Sequence, residues 1–186
     1  MEQREIKNTG VKVTPICFGT SSLGDMPDTY GYDVSEAQAI ETLIEIFQGP
    51  VNFIDTSNNY GFGRSETRIG KALNAIGGVP EGFVIATKVD RDMETGRFDA
   101  ARVRQSLEES LDRLGMDRVD VLHLHDPEHA RDLAEMTCDG GAFDELFKLK
   151  EQGLIKAVGL AMGRIDMMFP LLKSYPFDTL ISHNRF

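Results

Sequence analysis

The amino-acid sequence predicts an α/β fold in which parallel β-strands alternate with α-helices. Short apolar runs recur along the chain, amphipathic segments separate them, and no low-complexity stretch or charge block interrupts the alternation. The runs are apolar on both faces, as expected of parallel strands that helices cover on each side. They lie at residues 15–20, 51–55, 83–88, 119–125, 155–160 and 178–182.

A short hairpin is predicted before the first of these strands. Two stretches of alternating residues within 4–14 flank Asn8, Thr9 and Gly10, and glycine readily adopts the positive φ that a tight turn needs. Such a hairpin would cover one end of a barrel, although an open sheet can carry one as well.

Amphipathic segments predict the helices between the strands. Ser35 and Asp99 are suitable N-caps for two of them, and Gly115 suits a C-terminal cap. Repeated strand–helix pairs imply right-handed crossovers, which leaves two architectures, an open doubly wound sheet and a TIM barrel. The segments share a stripe of apolar residues at helical spacing and lie at residues 35–47, 65–76, 99–115 and 142–153.

The composition is typical of a soluble globular chain, and we expect a single domain over residues 1–186. Of 186 residues, 41% are hydrophobic, and 30 acidic side chains against 20 Lys and Arg give a net charge of −10. The acidic balance argues against nucleic-acid binding. No apolar run is long enough for a membrane span or a signal peptide. Cys17 and Cys138 lack metal-ligand spacing, so we expect no metal site and a reducing, cytoplasmic location.

Polar side chains stand where the predicted strands end. Asp55, Lys88 and His125 end the second, third and fourth runs, and Tyr60 follows in the loop after the second. Because ligands and catalytic groups gather at the carboxyl ends of strands in α/β folds, these residues are candidates for a site. The first predicted strand is not followed by a G-x-G-x-x-G sequence, and no Walker A motif is present, which favours the barrel.

Each of these four residues has a simple structural explanation, such as a turn cap, a rim aromatic or an exposed strand end. Together they suit proton transfer. Tyrosine has an unperturbed pKa of about 10, which a nearby lysine ammonium lowers. An aspartate paired with that lysine would hold it in place, and a histidine would orient a carbonyl as hydride arrives from a cofactor. A lysine Schiff-base lyase or isomerase is the alternative, but it gives Asp55, Tyr60 and His125 no role.

The motifs carry a resemblance to a known family. In chain order, "CFGTSSLG", "NFIDTSNNYGFGRSETRIGKAL", "VIATKVD", "DVLHLHDP" and "GLIKAVGL" resemble the aldo-keto reductases, which are NAD(P)-dependent oxidoreductases on a TIM barrel. The resemblance implies Tyr60 as the general acid/base, Lys88 as the partner that lowers its pKa and Asp55 as the anchor of that lysine. His125, two residues before a proline as in the family pattern, is preferred over His123 for orienting the substrate.

The resemblance also implies a cofactor, NADP or NAD, and a small carbonyl or sugar substrate of the kind used by the sugar dehydrogenase and pyridoxal reductase branch. It implies cofactor contacts at Gly19, Thr20 and Met162. Two positions depart from the family pattern: "AM" at 161–162 replaces a common Ser-Asn pair, and Leu180 replaces a common glutamine.

Length is the larger departure from the family. A complete barrel of this kind has eight β/α units in about 250 residues, whereas this chain accounts for about six after the hairpin. We therefore expect an incomplete barrel, truncated at the C-terminus relative to the family. Three explanations are open: we expect a fragment of a longer protein, a truncated product or a half that closes by self-association through its open edge. The alternative to an enzyme is a catalytically silent barrel fragment that serves only binding or assembly.

Overall fold

The computed structural model describes residues 1–182, and within them it confirms the predicted α/β architecture. Six parallel strands form one sheet whose spatial order follows the chain, from β3 to β8. Consecutive order without a reversal point is the arrangement of a barrel wall and not of a doubly wound sheet. The strands are β1 (Arg4–Glu5), β2 (Lys12–Val13), β3 (Phe18–Gly19), β4 (Phe53–Asp55), β5 (Val84–Val89), β6 (Val119–His125), β7 (Ile155–Ala161) and β8 (Thr179–Ile181).

The sheet does not close within the described residues. β3 and β8 each have one neighbouring strand, so the barrel is a six-stranded partial one. Phe18 on β3 is 38% exposed and Leu180 on β8 is 43% exposed, which places apolar side chains at both edges. Unpaired edges of this kind are surfaces on which further strands can add. The predicted sixth run, residues 178–182, lies within the described residues and contains β8, whereas residues 183–186 lie outside them.

Seven α-helices lie in the described part of the chain, and four of them were expected from the apolar periodicity. Ser35 and Asp99 cap α2 and α4 as predicted, since their side chains accept the backbone N–H of Gln38 and Arg102. None of these helices is both long and apolar enough to cross a lipid bilayer. The helices are α1 (Pro27–Tyr30), α2 (Glu36–Gln48), α3 (Arg64–Ile76), α4 (Ala100–Leu114), α5 (Leu133–Thr137), α6 (Ala142–Glu151) and α7 (Ile165–Ser174).

The predicted hairpin is present and is fastened to the amino ends of the strands. β1 and β2 pair antiparallel, with Arg4 opposite Val13. The side chain of Asn52, just before β4, accepts the N–H of Thr14 and donates to the carbonyl of Lys12, at 2.8 and 2.9 Å. Val11 packs into a small cluster formed by inward-facing residues of the central strands. The hairpin therefore covers the end of the barrel opposite the candidate site.

The main hydrophobic core lies between the outer face of the sheet and the helices. Alternate strand residues separate the two faces: Ile85 and Leu122 belong to this outer core, whereas Ala86 and Val121 belong to the inner cluster beneath the hairpin. Burial on both faces explains why the strand sequences read as nearly continuous apolar runs.

Candidate active site

The three strand-end residues predicted from the sequence lie together at the carboxyl ends of three neighbouring strands. Asp55 is the last residue of β4, Lys88 the penultimate residue of β5 and His125 the last residue of β6. After β4 the chain continues alongside β5, since the N–H of Thr56 donates to the carbonyl of Ala86 at 2.9 Å. This path brings the following loop over the end of β5.

That loop places Tyr60 above Lys88 and holds it there. The backbone N–H of Tyr60 donates to the carbonyl of Ser57, and its carbonyl accepts the N–H of Ser65 in α3, both at 3.2 Å. Gly61 has a φ of 61°, and a Cβ at that position would lie 2.0 Å from the carbonyl oxygen of Gly24. Glycine is therefore required where the loop passes the preceding segment.

Lys88 is the centre of the polar cluster. Its Nζ donates to Asp55 Oδ2 at 2.6 Å, to the carbonyl of Thr56 at 2.6 Å and to Tyr60 Oη at 3.1 Å. These three bonds use all three ammonium protons. The residue is only 2% exposed. Burial by itself would lower the pKa of Lys88, but the charge of Asp55 and the contact with Tyr60 raise it above its usual value, so the side chain is a cation.

The pKa of Tyr60 is raised above its ordinary value, whereas the sequence led us to expect that Lys88 would lower it. Burial raises the pKa of this phenol, and the ammonium of Lys88 lowers it by less than burial raises it. The net pKa is therefore raised, not lowered. The reason is that the loop removes much of the ring from water, a tertiary effect that residue types alone do not reveal. Lys88 lowers the pKa of Tyr60 as expected, but burial has the larger effect.

His125 lies beside Tyr60, with the two ring centroids 6.0 Å apart and the rings nearly perpendicular. His123 is two residues earlier in the same strand and is more deeply buried, 2% exposed against 9% for His125, and its Nε2 lies 2.8 Å from Thr179 Oγ1 in the barrel interior. Burial lowers the pKa of His123 to about 4, so that its ring is neutral at neutral pH. The structure thus groups His125 with Tyr60 and separates His123 from it.

Asp90 and Ser57 are part of this site but were not singled out from the sequence. Asp90 follows β5 and is 2% exposed; its Oδ1 lies 2.7 Å from His125 Nδ1, and its Oδ2 accepts the hydroxyl of Ser57 at 2.5 Å. One signal was available. Asp90 stands two residues after Lys88, and residues two apart on an extended chain point to the same face.

The loop is supported from below by α4. The Nδ2 of Asn58 donates to the carbonyl of Ser106 at 3.0 Å and to Glu109 Oε2 at 3.1 Å. Arg102 forms two hydrogen bonds to the Glu109 carboxylate and a third to the carbonyl of Asp90. A buried guanidinium held in this way fixes the loop and the end of β5 relative to each other.

The three predicted cofactor-binding residues have different environments. Thr20 is fully buried, and its Oγ1 donates to the carbonyl of Asp55 at 3.1 Å, so that its side chain already has a structural partner. Met162 is 1% exposed and belongs to the outer hydrophobic core. Gly19 has open space where a Cβ would stand. Of the three, Gly19 alone presents an open surface next to the cluster.

A cavity of about 450 Å³ in the unclosed barrel interior adjoins Gly19. Asp55 and His123 also line it. Asp55 Oδ1 is buried without a hydrogen-bond partner among the described residues. An unpaired acceptor beside an open cavity fits a ligand with hydroxyl and amide donors, which a nicotinamide nucleotide carries. The residues present therefore fit the reacting end of this cofactor.

Comparisons with known proteins agree with this geometry. Residues 15–181 match the aldo/keto reductase family. L-galactose dehydrogenase from Arabidopsis thaliana is 37% identical over 180 residues, which are 97% of this chain and 54% of that protein. D-threo-aldose 1-dehydrogenase from Pseudomonas sp is 27% identical, over 95% of this chain and 58% of that protein. The chain spans about half the length of the curated relatives it matches.

Solved structures show the same fold. The holo form of aldo-keto reductase AKR11C1 from Bacillus halodurans has a TM-score of 0.78 at 24% identity, over 98% of this chain and 57% of that one. The glycerol dehydrogenase AKR11B4 from Gluconobacter oxydans has a TM-score of 0.73 at 26% identity, over 97% of this chain and 54% of that one. The match thus spans a little over half the length of each of these chains.

Proposed function

Since this chain belongs to the aldo/keto reductase family, we propose that it performs NAD(P)-dependent reduction of a small aldehyde or ketone, or oxidation of a sugar alcohol or hemiacetal. Tyr60 is the general acid/base in this proposal. The observation that carries it is the Lys88 ammonium, which is bonded to both Asp55 and the Tyr60 hydroxyl in a buried setting. A lysine that only stabilises the fold needs one carboxylate. A second bond to the phenol of a half-buried tyrosine suits proton transfer.

Proton donation follows from the charges of the cluster. The phenol of Tyr60 holds its proton at neutral pH, since the ordinary pKa of 10.0 is already well above 7 and burial raises it further. When that proton passes to a carbonyl oxygen, the tyrosinate forms next to the Lys88 ammonium, 3.1 Å away. The attraction is strong because little water screens the pair. Asp55 holds Lys88 in place and balances its charge.

A bound nicotinamide cofactor supplies the hydride in this chemistry. Gly19 and the carboxylate of Asp55, which border the open cavity, are the described residues that would contact its reacting end. His125 stands beside Tyr60 and orients the substrate's polar groups. Both NADP and NAD stay within the proposal, since it makes no use of the adenosine end.

The second candidate is a catalytically silent barrel that serves binding or assembly. The observation that favours it is the pair of unpaired sheet edges at β3 and β8, which leave the barrel interior open among the described residues. On this alternative the chain associates through those edges. The polar cluster would then be retained only for its contribution to the fold.

One experiment separates the two. We expect the chain to change the fluorescence of NADPH or NADH on binding and to oxidise the reduced cofactor with an aldehyde or sugar aldehyde. Tyr60→Phe should abolish turnover and leave cofactor binding intact, because it removes the transferred proton alone. Tyr32→Phe, at an exposed tyrosine, is the matched control. Turnover that survives in Tyr60→Phe would exclude the mechanism, and absence of both binding and turnover would favour the silent barrel.

A further inference from the structure

The carboxylate of Asp90 accepts hydrogen bonds at both oxygens. Oδ2 accepts the hydroxyl of Ser57 at 2.5 Å and the backbone N–H of Asn59 at 3.1 Å, and Oδ1 lies 2.7 Å from His125 Nδ1. Burial would raise the pKa of Asp90, but the hydrogen bonds from His125 and Ser57 hold it below its usual value. The ionised carboxylate has no proton to donate, so the proton between Oδ1 and the imidazole belongs to Nδ1.

Ser57 does not change this assignment. Its Oγ lies 3.2 Å from His125 Nδ1 as well, but its single proton is directed to Asp90 across the shorter distance of 2.5 Å. The hydroxyl oxygen can then act only as a second acceptor for the Nδ1 proton. Both neighbours of Nδ1 are therefore acceptors.

Asp90 cannot easily move away from the histidine. Its backbone N–H donates to Ser106 Oγ at 3.0 Å, and its carbonyl accepts the Nε–H of Arg102 at 2.9 Å. Both partners are on α4 and are buried. The backbone of Asp90 is thus held on both sides, and the carboxylate is fixed opposite the ring.

From these contacts we propose that Asp90 is a positioning residue that directs the proton of a singly protonated His125 ring to Nδ1. The other nitrogen, Nε2, then carries a lone pair and is a hydrogen-bond acceptor. The charged group recorded near Nε2 is the Asp126 carboxylate, 3.7 Å away, beyond hydrogen-bond distance. Within residues 1–182, Nε2 has no hydrogen-bond donor and is available to a donor on the substrate.

A consequence for the substrate follows, and this step rests on the proposed function. A carbonyl oxygen cannot donate to Nε2, so Tyr60 is the group that bonds it, while His125 accepts a neighbouring hydroxyl of the substrate. The site then favours a compound with a hydroxyl next to the reacting carbon, such as a 2-hydroxyaldehyde or a cyclic hemiacetal. A plain aldehyde leaves the buried acceptor unpaired, which is unfavourable.

The tautomer can be measured without cofactor or turnover. In the ¹⁵N-histidine-labelled 186-residue chain, long-range ¹H–¹⁵N spectra distinguish the two tautomers, and a His125→Gln spectrum assigns the signal among the four histidines. At a pH where the ring is neutral, we expect the Nδ1-protonated pattern. An Nε2-protonated pattern in the wild-type chain would overturn the proposal, whether or not any variant folds.

Asp90→Asn gives a sharper test. The backbone N–H of Asn59 and the hydroxyl of Ser57 both require an acceptor at the Oδ2 position, so the new side-chain oxygen stays there. The new NH₂ group then faces Nδ1, and the histidine should switch to the Nε2-protonated tautomer. Asp126→Asn removes a nearby charge without touching Nδ1 and should leave the tautomer unchanged. An unchanged tautomer in Asp90→Asn would contradict the proposal.

Steady-state kinetics test separately whether the site prefers a substrate with a hydroxyl next to the reacting carbon. For wild type we expect kcat/KM for a 2-hydroxyaldehyde to exceed that for its deoxy analogue by about tenfold, the scale of one hydrogen bond. Asp90→Asn should remove that preference. An equal preference in both chains would refute the substrate consequence. Absence of turnover with every carbonyl would instead refute the proposed function, and the tautomer would still be decided by the spectra.

Discussion

The ammonium of Lys88 bonds Tyr60 Oη at 3.1 Å and Asp55 Oδ2 at 2.6 Å, so one buried cation joins a phenol to a carboxylate. The pKa of Lys88 is raised by its partners, despite the opposing effect of burial, and that of Tyr60 is raised by burial. Both groups are therefore protonated at neutral pH. The cluster rests in the form that donates a proton, which is the form that carbonyl reduction needs.

Lys88→Met should destabilise the fold and reduce turnover. Removal of one partner from a buried ion pair leaves the other without compensation, and we expect the free energy of unfolding to fall by about 3 kcal/mol. Turnover should fall at least about 100-fold, because the forming tyrosinate loses its cation. Urea unfolding and steady-state kinetics measure the two effects.

Two further variants check the origin of that loss. Asp55→Asn combined with Lys88→Met should recover part of the stability, because no unpaired charge is left behind. Lys71→Met, which breaks an exposed pair with Glu36, should change stability little. Equal losses at Lys71 and Lys88 would show that burial of the pair has no special effect.

Tyr60 should lose its proton only in strongly alkaline solution. Its pKa is raised above the ordinary value of 10.0, so the ultraviolet signal of tyrosinate attributable to Tyr60 should appear only above pH 10. In Lys88→Met the signal should move higher still, since the ammonium opposes the effect of burial. Difference spectra against Tyr60→Phe isolate the signal, and titration of Tyr60 below pH 10 would contradict the prediction.

His123 should make the fold sensitive to mild acid. Its folded-state pKa of about 4 lies below the ordinary value of 6.5, so the unfolded chain binds the proton first. The contribution of neutral His123 to the free energy of unfolding is fully present above pH 6.5. It is lost as the pH falls toward 4, by as much as about 3 kcal/mol. Urea unfolding across this range measures the loss. His123→Asn should flatten the dependence, whereas His129→Asn, at an exposed site, should leave it unchanged.

Gly159→Ala should destabilise the chain because β7 has no room for a Cβ at that position. The added carbon would lie 2.1 Å from His123 Cδ2 and 2.4 Å from Thr179 Oγ1. We expect a loss of about 2 kcal/mol in the free energy of unfolding, typical of overpacking. Gly19→Ala is the matched strand control, since nothing lies within 4 Å of its Cβ position. It should keep the stability and, if Gly19 contacts the cofactor, weaken cofactor binding.

The elements predicted from the sequence are those whose signal is local. The six parallel strands were identified by short runs of residues that are apolar on both faces. The helices α2, α3, α4 and α6 were identified by apolar residues at helical spacing, together with capping residues at their ends. α7 escaped prediction because Pro170 lies inside it, and interior proline normally argues against a helix. The roles of Asp55, Tyr60, Lys88 and His125 stay proposals, although the structure brings all four together.

By itself, the sequence determined the hairpin, the six parallel strands, four of the helices and the ionisable groups at the strand ends, because periodicity and strand alternation act over a few residues. The tertiary structure alone decided which groups meet and how they are charged. Asp90 reaches His125 only because the loop after β4 and the end of β5 are held together by α4. The raised pKa of Tyr60 has the same origin, since burial depends on how distant segments pack around a side chain.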